Sequence, residues 1–247
     1  MKTIEYLMTG EGVTDFGQRV YGSTAWEEGP AAVLVRKCAE EVGAEIVLDF
    51  VERKKVENLK LGRQLKGLSG KAVPARRFYM LMRNTGYEHG IYYCDADRDA
   101  GARNTKHQAE ERFHKVYDEV DVGANPDPED KRVVPMVALR MIESWLLSDE
   151  NAFQSGNKTG KGKKSVSVPS EPEMLWGDKR DPNSNYPKCY LDRLHQYYYQ
   201  RDPGREDYVS IAEESSVEVI AQRCPISFVR FRLDLQESIK REQERMA

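Results

Sequence analysis

Ile91-Tyr-Tyr-Cys94-Asp95-Ala-Asp97, a compact apolar run that ends in acidic residues, decides the fold of this chain. The N-terminal stretch Thr3-Ile-Glu-Tyr-Leu-Met8 alternates apolar and polar residues and runs into Gly10-Glu11-Gly12-Val13-Thr14-Asp15. Both patterns are typical of short strands that end at a turn. Each predicted strand is therefore followed directly by carboxylates.

Predicted strands and helices alternate over residues 1–150. Further strands are indicated over Ala44–Val51 and Val133–Val137, and helices after Gly29, over Pro74–Met82, over Asn104–Val120 and over Arg140–Asp149. This order predicts an α/β fold with a mostly parallel sheet flanked by helices. We expect the strand at Val133–Val137 to lie at an edge, because Pro135 has no N–H for a sheet hydrogen bond.

The chain changes character after Asp149. Residues 154–170 are rich in Gly, Ser and Lys without periodicity, which indicates a mobile loop or linker. Helices are predicted over Pro187–Gln200, over Val209–Arg223 and after Pro225. We therefore divide the chain into an α/β domain, residues 1–150, and a loop with an α-helical C-terminal extension, residues 151–247.

Composition excludes several classes of protein. The chain has 38 Lys and Arg against 41 Asp and Glu, a net charge of −3, so nucleic acid would be bound through a local patch or through metal ions. No apolar run approaches the roughly 18–20 residues of a membrane span, and the N-terminus lacks an apolar signal segment. The four dispersed cysteines indicate reduced thiols, and we expect a cytoplasmic protein without membrane contact.

The acidic residues after the two strands predict a metal site. The carboxyl ends of parallel strands share one edge of a sheet, so the clusters at Glu11/Asp15 and at Asp95/Asp97/Asp99 should meet there. Their mutual repulsion would be relieved by a divalent cation, and hard oxygen ligands suit Mg²⁺ or Mn²⁺. The plainer alternative is that Asp97 and Asp99 only cap the following helix.

Three competing motifs fail on the residues. A dinucleotide-binding GxGxxG would need Gly or Ala where Asp15 stands, and no GxxxxGK[ST] of a P-loop occurs. A calcium-binding loop starting at Asp95 would need Gly and Glu where Ala100 and Lys106 stand.

The pair GEGxTD and DxD resembles the Toprim fold, which is shared by topoisomerases, primases and OLD-type nucleases. A third element, Glu143-Ser-Trp145-Leu-Leu-Ser-Asp149, is similar to a helix of uncharacterised bacterial Toprim-like proteins that are often encoded beside ABC-type ATPases in phage-defence loci. The resemblance covers most of the chain and implies a Toprim-like fold. It also implies an ABC-type ATPase as a partner protein.

The resemblance also implies residue roles. Glu11 would be a metal ligand or general acid/base, and Asp95 and Asp97 would hold Mg²⁺. Asp15 and Glu143 would support a second metal ion, and Lys188 is the candidate for a catalytic lysine. Weaker candidates are Asp99 and Asp149 as further acids, and Lys158, Lys161, Lys163 and Lys164 as nucleic-acid contacts.

Each secondary candidate has a plainer alternative. Glu143 would be a solvated or capping residue of its helix, Asp149 would only end that helix, Lys188 would be an ordinary surface lysine, and the lysine run would be a solvated loop.

The sequence thus favours a Mg²⁺- or Mn²⁺-dependent nuclease acting on DNA or RNA, the effector of an ATPase-linked anti-phage defence system. Two alternatives stay open. One is a non-catalytic subunit that docks on an ATPase and binds nucleic acid or nucleotide. The other is a different phosphotransfer enzyme, such as a small-nucleotide hydrolase.

Overall fold

A four-stranded parallel sheet lies at the centre of the computed structural model, which describes residues 3–96, 105–153 and 167–246. The elements are β1 (Ile4–Thr9), β2 (Gly17–Arg19), β3 (Trp26–Glu28), α1 (Pro30–Glu40), β4 (Ile46–Phe50), α2 (Arg53–Glu57), α3 (Ala72–Asn84), β5 (His89–Asp95), α4 (Lys106–Ala124), β6 (Val133–Ala138), α5 (Ile142–Leu146), α6 (Pro187–Tyr199), α7 (Arg205–Glu214), α8 (Val217–Arg223) and α9 (Ser227–Met246). The sheet order is β4-β1-β5-β6, and β2 pairs with β3 as a separate antiparallel hairpin.

Helices cover both faces of the sheet. Because side chains alternate along a strand, Tyr6 and Met8 of β1 enter one hydrophobic core, with α1 and the C-terminal helices, while Leu7 enters the other, with α3 and α4. Strands buried on both faces are typical of parallel sheets. The predicted α/β class, with its parallel sheet, flanking helices and helical C-terminal part, is confirmed, and it is consistent with a Toprim-like fold.

The strand order creates a crevice between β1 and β5. The chain passes from β1 to β4 on one side and then returns to place β5 on the other side of β1. Ligands of open parallel sheets bind at such a reversal, outside the carboxyl ends of the strands. We therefore expect a functional site at this crevice.

The helices after residue 150 share the core of the sheet. Leu191, Ile211, Phe228 and Leu235 belong to the same buried cluster as Tyr6 and Met8. The boundary between residues 1–150 and 151–247 stays a prediction. No helix within the described ranges combines the length and apolar character that crossing a membrane requires.

The predicted elements need several corrections. The helix predicted over Arg140–Asp149 is limited to α5, and the one predicted over Val209–Arg223 is two helices, α7 and α8. The break falls where the Ser216 hydroxyl accepts a hydrogen bond from the Val219 N–H and caps α8. The β2–β3 hairpin and α2 were not predicted. The edge position of β6 is confirmed by the sheet order.

Candidate metal centre at the carboxyl edge of the sheet

Four carboxylates lie at or beyond the carboxyl ends of β1, β5 and β6, and we call them the acidic cluster: Glu11, Asp15, Asp95 and Glu143. Their negative charges act on one another: Asp15, Glu143 and Glu11 each raise the pKa of Asp95. The convergence predicted from the parallel sheet is thus present for the members that the structure describes. Asp97 and Asp99 lie outside the described residues.

The turn after β1 places Asp15. Gly12 has φ +77°, a left-handed conformation that suits glycine, and a Cβ there would stand 2.8 Å from Asp15 Oδ2. The Ala31 N–H at the start of α1 donates to the Asp15 carbonyl at 3.1 Å, and the Gly29 N–H donates to the Phe16 carbonyl at 3.2 Å. Glycine at position 12 and the first turn of α1 therefore hold the Asp15 carboxylate over the sheet edge.

Tyr93 joins the carboxylates of β1 and β5. Its hydroxyl donates a hydrogen bond to Asp95 Oδ1 at 2.9 Å and lies 3.4 Å from Asp15 Oδ2. Tyr93 and Asp95 are two residues apart in β5, so both side chains project from the same face of the sheet. The buried tyrosine thereby fixes the separation of the two acids.

Glu143 reaches the same place from α5. Trp145, two residues later, is fully buried, donates its Nε1–H to Ser227 Oγ at 2.9 Å and stacks on Phe231 of α9. This anchoring holds the Glu143 side chain at 3% exposure, and within the described part of the chain its Oε2 atom has no hydrogen-bond partner. Because a buried acceptor without a partner is costly, a ligand group is expected at this oxygen. The alternative of a solvated Glu143 is excluded by its burial.

Burial and like charge keep protons on the cluster. Burial, with a smaller contribution from Glu11, raises the pKa of Asp15 from 3.8 to about 6. Burial followed by the Asp15 charge raises the pKa of Glu143 from 4.5 to about 8 and that of Asp95 well above its ordinary value. Such raised values arise where carboxylates share a site without enough positive charge.

Lys188 is the predicted lysine that the structure brings to the cluster. It lies exposed in the first turn of α6, and its ammonium charge lowers the pKa of both Asp15 and Glu143. Asp192, one turn later, and the buried Tyr208 of α7 lie beside the same acids. Burial raises the pKa of Asp192 and the Lys188 charge opposes that rise, while burial and then the charge of Glu143 raise the pKa of Tyr208. Neither residue was predicted from the sequence.

Glu11 differs from the other three acids because cations surround it. Its carboxylate forms an ion pair with Lys71 and lies 3.3 Å from Arg53. The Lys71 backbone N–H in turn donates to Glu119 Oε2 of α4 at 2.8 Å, which ties the loop before α3 in place. Glu11 therefore stands at the cationic side of the cluster.

The donor chemistry of the cluster fits a hard divalent cation. All four side chains offer carboxylate oxygens, and Glu143 Oε2, which has no hydrogen-bond partner among the described residues, is the observation that most favours a ligand at this place. Within residues 3–96, 105–153 and 167–246, however, no three Asp, Glu, His or Cys side chains form a group that could hold a metal ion as they stand. Asp97, the remaining ligand that the sequence predicts, lies outside the described residues.

The other predicted site residues lie elsewhere. Asp149 is buried and accepts hydrogen bonds from the N–H groups of Asn151 at 3.0 Å and Ser216 at 2.9 Å, so it joins the end of α5 to the start of α8. Its described contacts are structural, and none reaches the acidic cluster. Lys158, Lys161, Lys163 and Lys164 lie outside the described residues.

The fold and site define a parallel α/β protein with an acidic cluster at the reversal point of its sheet. The chain belongs to a family described as a domain of unknown function (DUF4276), whose model matches residues 39–236. The matched segment contains Asp95, Glu143 and Lys188 and begins after Glu11 and Asp15. Comparison with curated proteins and with solved structures returns no match.

Proposed function

We propose that this protein is a Mg²⁺- or Mn²⁺-dependent nuclease that hydrolyses phosphodiesters of DNA or RNA at the acidic cluster. The observation that carries the proposal is the joint contact of Asp15 and Asp95 with Tyr93. Glu143 lies near enough to raise the pKa of Asp95, and a divalent cation would reverse the raised pKa values of all three acids. A net charge of −3 is compatible with this function because the bound ions supply positive charge to the phosphates.

Each described residue has a role in this proposal. Asp15, Asp95 and Glu143 would hold the ions, which stabilise the attacking and leaving oxygens of a phosphodiester displacement. Lys188, exposed beside these acids, is placed to neutralise charge that develops on the phosphate oxygens. Glu11, held in position by Lys71 and Arg53, is the candidate to accept or return a proton.

The setting of the enzyme follows from the sequence resemblance. We propose that it works in the cytoplasm as the effector of an ATPase-linked anti-phage system, with an ABC-type ATPase as partner. All four cysteines are free, which agrees with a reducing compartment. The alternative is a non-catalytic subunit that binds nucleic acid or nucleotide beside such an ATPase. It is favoured by the fact that the described residues contain no complete metal-ligand group.

A cleavage assay separates the two functions. Wild type is incubated with plasmid, single-stranded DNA and tRNA, in Mn²⁺ or in EDTA, beside Asp95→Asn. Glu45→Gln is the matched control, because Glu45 is exposed at the opposite edge of the sheet, before β4. We expect cleavage in Mn²⁺ by wild type and by Glu45→Gln, and none by Asp95→Asn or in EDTA. Binding of nucleic acid without cleavage under all conditions would support the non-catalytic subunit.

A further inference from the structure

A pocket of about 380 Å³ lies beside the acidic cluster, at the small end of the range in which proteins bind ligands. Its lining combines three glycines, the rings of Phe16 and Trp26, and the cations Arg19, Arg53 and Lys54. Gly12, Phe16 and Arg53 also support the site described above, whereas Arg19, Trp26 and Lys54 have no part in it.

The apolar wall of the pocket is a fixed aromatic platform. The Trp26 ring of β3 stacks on Phe50 with a centroid distance of 5.3 Å and an interplanar angle of 7°, and Phe16 meets it edge-on at 5.1 Å. The Trp26 Nε1–H donates to the Phe16 carbonyl at 3.4 Å, and Trp26 is only half-buried. A flat, partly exposed indole held in one orientation suits stacking by a nucleobase, since every base has a π-face.

The polar wall of the pocket is cationic. Arg19 of β2 and Lys54 of α2 are exposed, and neither forms an ion pair with any of the described residues. Among the described residues of the lining the only acid is Glu52, but Arg53 is already paired with Glu57 at 2.6 Å and Glu11 at 3.3 Å. In a chain of net charge −3, Arg19 and Lys54 are therefore the cations of the pocket that favour an anionic ligand.

The pocket and the acidic cluster share a wall. Gly10 and Gly12, which flank Glu11, both line the pocket, and Arg53 reaches from the pocket to Glu11 at 3.3 Å. The hairpin that carries Arg19 and Trp26 is held against α7 by an ion pair between Glu27 and Arg205. A ligand in the pocket would therefore sit against a fixed surface, next to the carboxylates.

We propose that this pocket binds one unstacked nucleotide, with its base on Trp26 and its phosphate on Arg19 and Lys54. Resting on the proposed function, this nucleotide belongs to the substrate, and its binding places the adjoining phosphodiester at the acidic cluster. The substrate is then single-stranded or locally unpaired, because a base inside a duplex cannot reach the indole.

Binding is measured without catalysis. Fluorescence anisotropy follows fluorescein-labelled single-stranded oligo(dT) in EDTA, with unlabelled AMP as competitor, for wild type, the double variant Arg19→Ala/Lys54→Ala, Trp26→Leu and Trp26→Phe. Lys240→Ala is the matched control, an exposed lysine on α9, which packs against β6 and α1.

The expected effects follow from the two walls. Losing two phosphate contacts lowers the slope of log affinity against log salt by about 1.4, since each contact to a single strand contributes roughly 0.7. Trp26→Leu weakens binding roughly 5- to 150-fold through lost stacking, while Trp26→Phe retains most affinity and shows that the fold is intact. If AMP displaces the labelled oligo(dT), the pocket also binds free nucleotides. If oligo(dT) binds and AMP does not displace it, the pocket binds a nucleotide only as part of a strand.

Different results would overturn the nucleotide pocket and the nuclease activity. These binding effects without cleavage in Mn²⁺ uphold the nucleotide pocket and overturn the nuclease. Cleavage in Mn²⁺, with the double variant and Trp26→Leu binding as tightly as Lys240→Ala, overturns the pocket alone. Absence of oligo(dT) and AMP binding by wild type also overturns it.

Discussion

Replacing Glu143 with Gln should stabilise the metal-free protein at neutral and alkaline pH. Burial and the Asp15 charge raise the pKa of Glu143 from 4.5 to about 8, so the folded protein holds this proton more tightly than the unfolded chain. The contribution of Glu143 to the free energy of unfolding is therefore fully present below pH 4.5, the pKa in the unfolded chain, and is lost as pH rises to about 8. Glutamine keeps the shape of the side chain and has no proton to lose.

The size of the effect follows from the shift in pKa. At about 1.4 kcal/mol per unit, full ionisation of Glu143 costs about 5 kcal/mol, of which roughly 3 kcal/mol is reached at pH 7. In a domain of this size each kcal/mol moves the melting temperature by roughly 2–4 °C. We therefore expect the variant to melt on the order of 6–12 °C above wild type at pH 7.

Thermal unfolding followed by circular dichroism in EDTA, near pH 5, 7 and 8, measures this difference. The gap between Glu143→Gln and wild type should widen with pH, while Glu45→Gln, exposed at the opposite sheet edge, should follow wild type at every pH. Two results would refute the reasoning that burial and the Asp15 charge disfavour the ionised form of Glu143. One is a variant that melts below wild type near pH 8, and the other is a difference in melting temperature that does not change with pH.

Three further predictions concern single features. Glu11→Gln should reduce cleavage by about 10²-fold or more with little change in melting temperature, because the amide keeps the size of the side chain and loses the charge; cleavage at wild-type rate would remove Glu11 from the chemistry. Asp149→Ala should cost about 1–3 kcal/mol in urea unfolding, because it leaves the Ser216 N–H without its acceptor. Mn²⁺ bound at the acidic cluster should raise the melting temperature of wild type, and Asp149→Ala should keep that rise; loss of the rise would place Asp149 in the metal site. Deleting residues 158–164 should weaken nucleic-acid binding and flatten its salt dependence without unfolding the protein, and an unchanged salt slope would reduce the segment to a linker.

The elements that the sequence predicts correctly are those long enough to show a repeated pattern of apolar residues. Helices α1, α3, α4 and α6 and strands β1, β4, β5 and β6 follow from apolar residues at helical spacing, from alternating or continuous apolar runs, and from Gly and Pro at the ends of the elements. The β2–β3 hairpin escapes this reasoning because strands of three residues are shorter than any periodic pattern. The division between α7 and α8 depends on the capping hydroxyl of Ser216, which a periodic apolar pattern does not reveal.

The acidic cluster was predictable because parallel strands end at one edge of the sheet. That rule brings Asp15 and Asp95 together, and their joint contact with Tyr93 supports it. The tyrosine itself had a usable signal, since positions 93 and 95 of one strand project from the same face. Lys71, Asp192 and Tyr208 had none, because they reach the site through tertiary packing of separate helices.

Titration of Mn²⁺ into the metal-free protein by calorimetry at pH 7 tests the central claim, that the acidic cluster is a metal centre, most directly. Asp15, Asp95 and Glu143 have raised pKa values, so binding should be saturable and should release protons, seen as heats that change with the ionisation enthalpy of the buffer. Asp95→Asn should bind Mn²⁺ more weakly by at least about tenfold, whereas Glu45→Gln should bind as wild type does. Absence of saturable binding by wild type, or equal affinity in Asp95→Asn, would contradict the account.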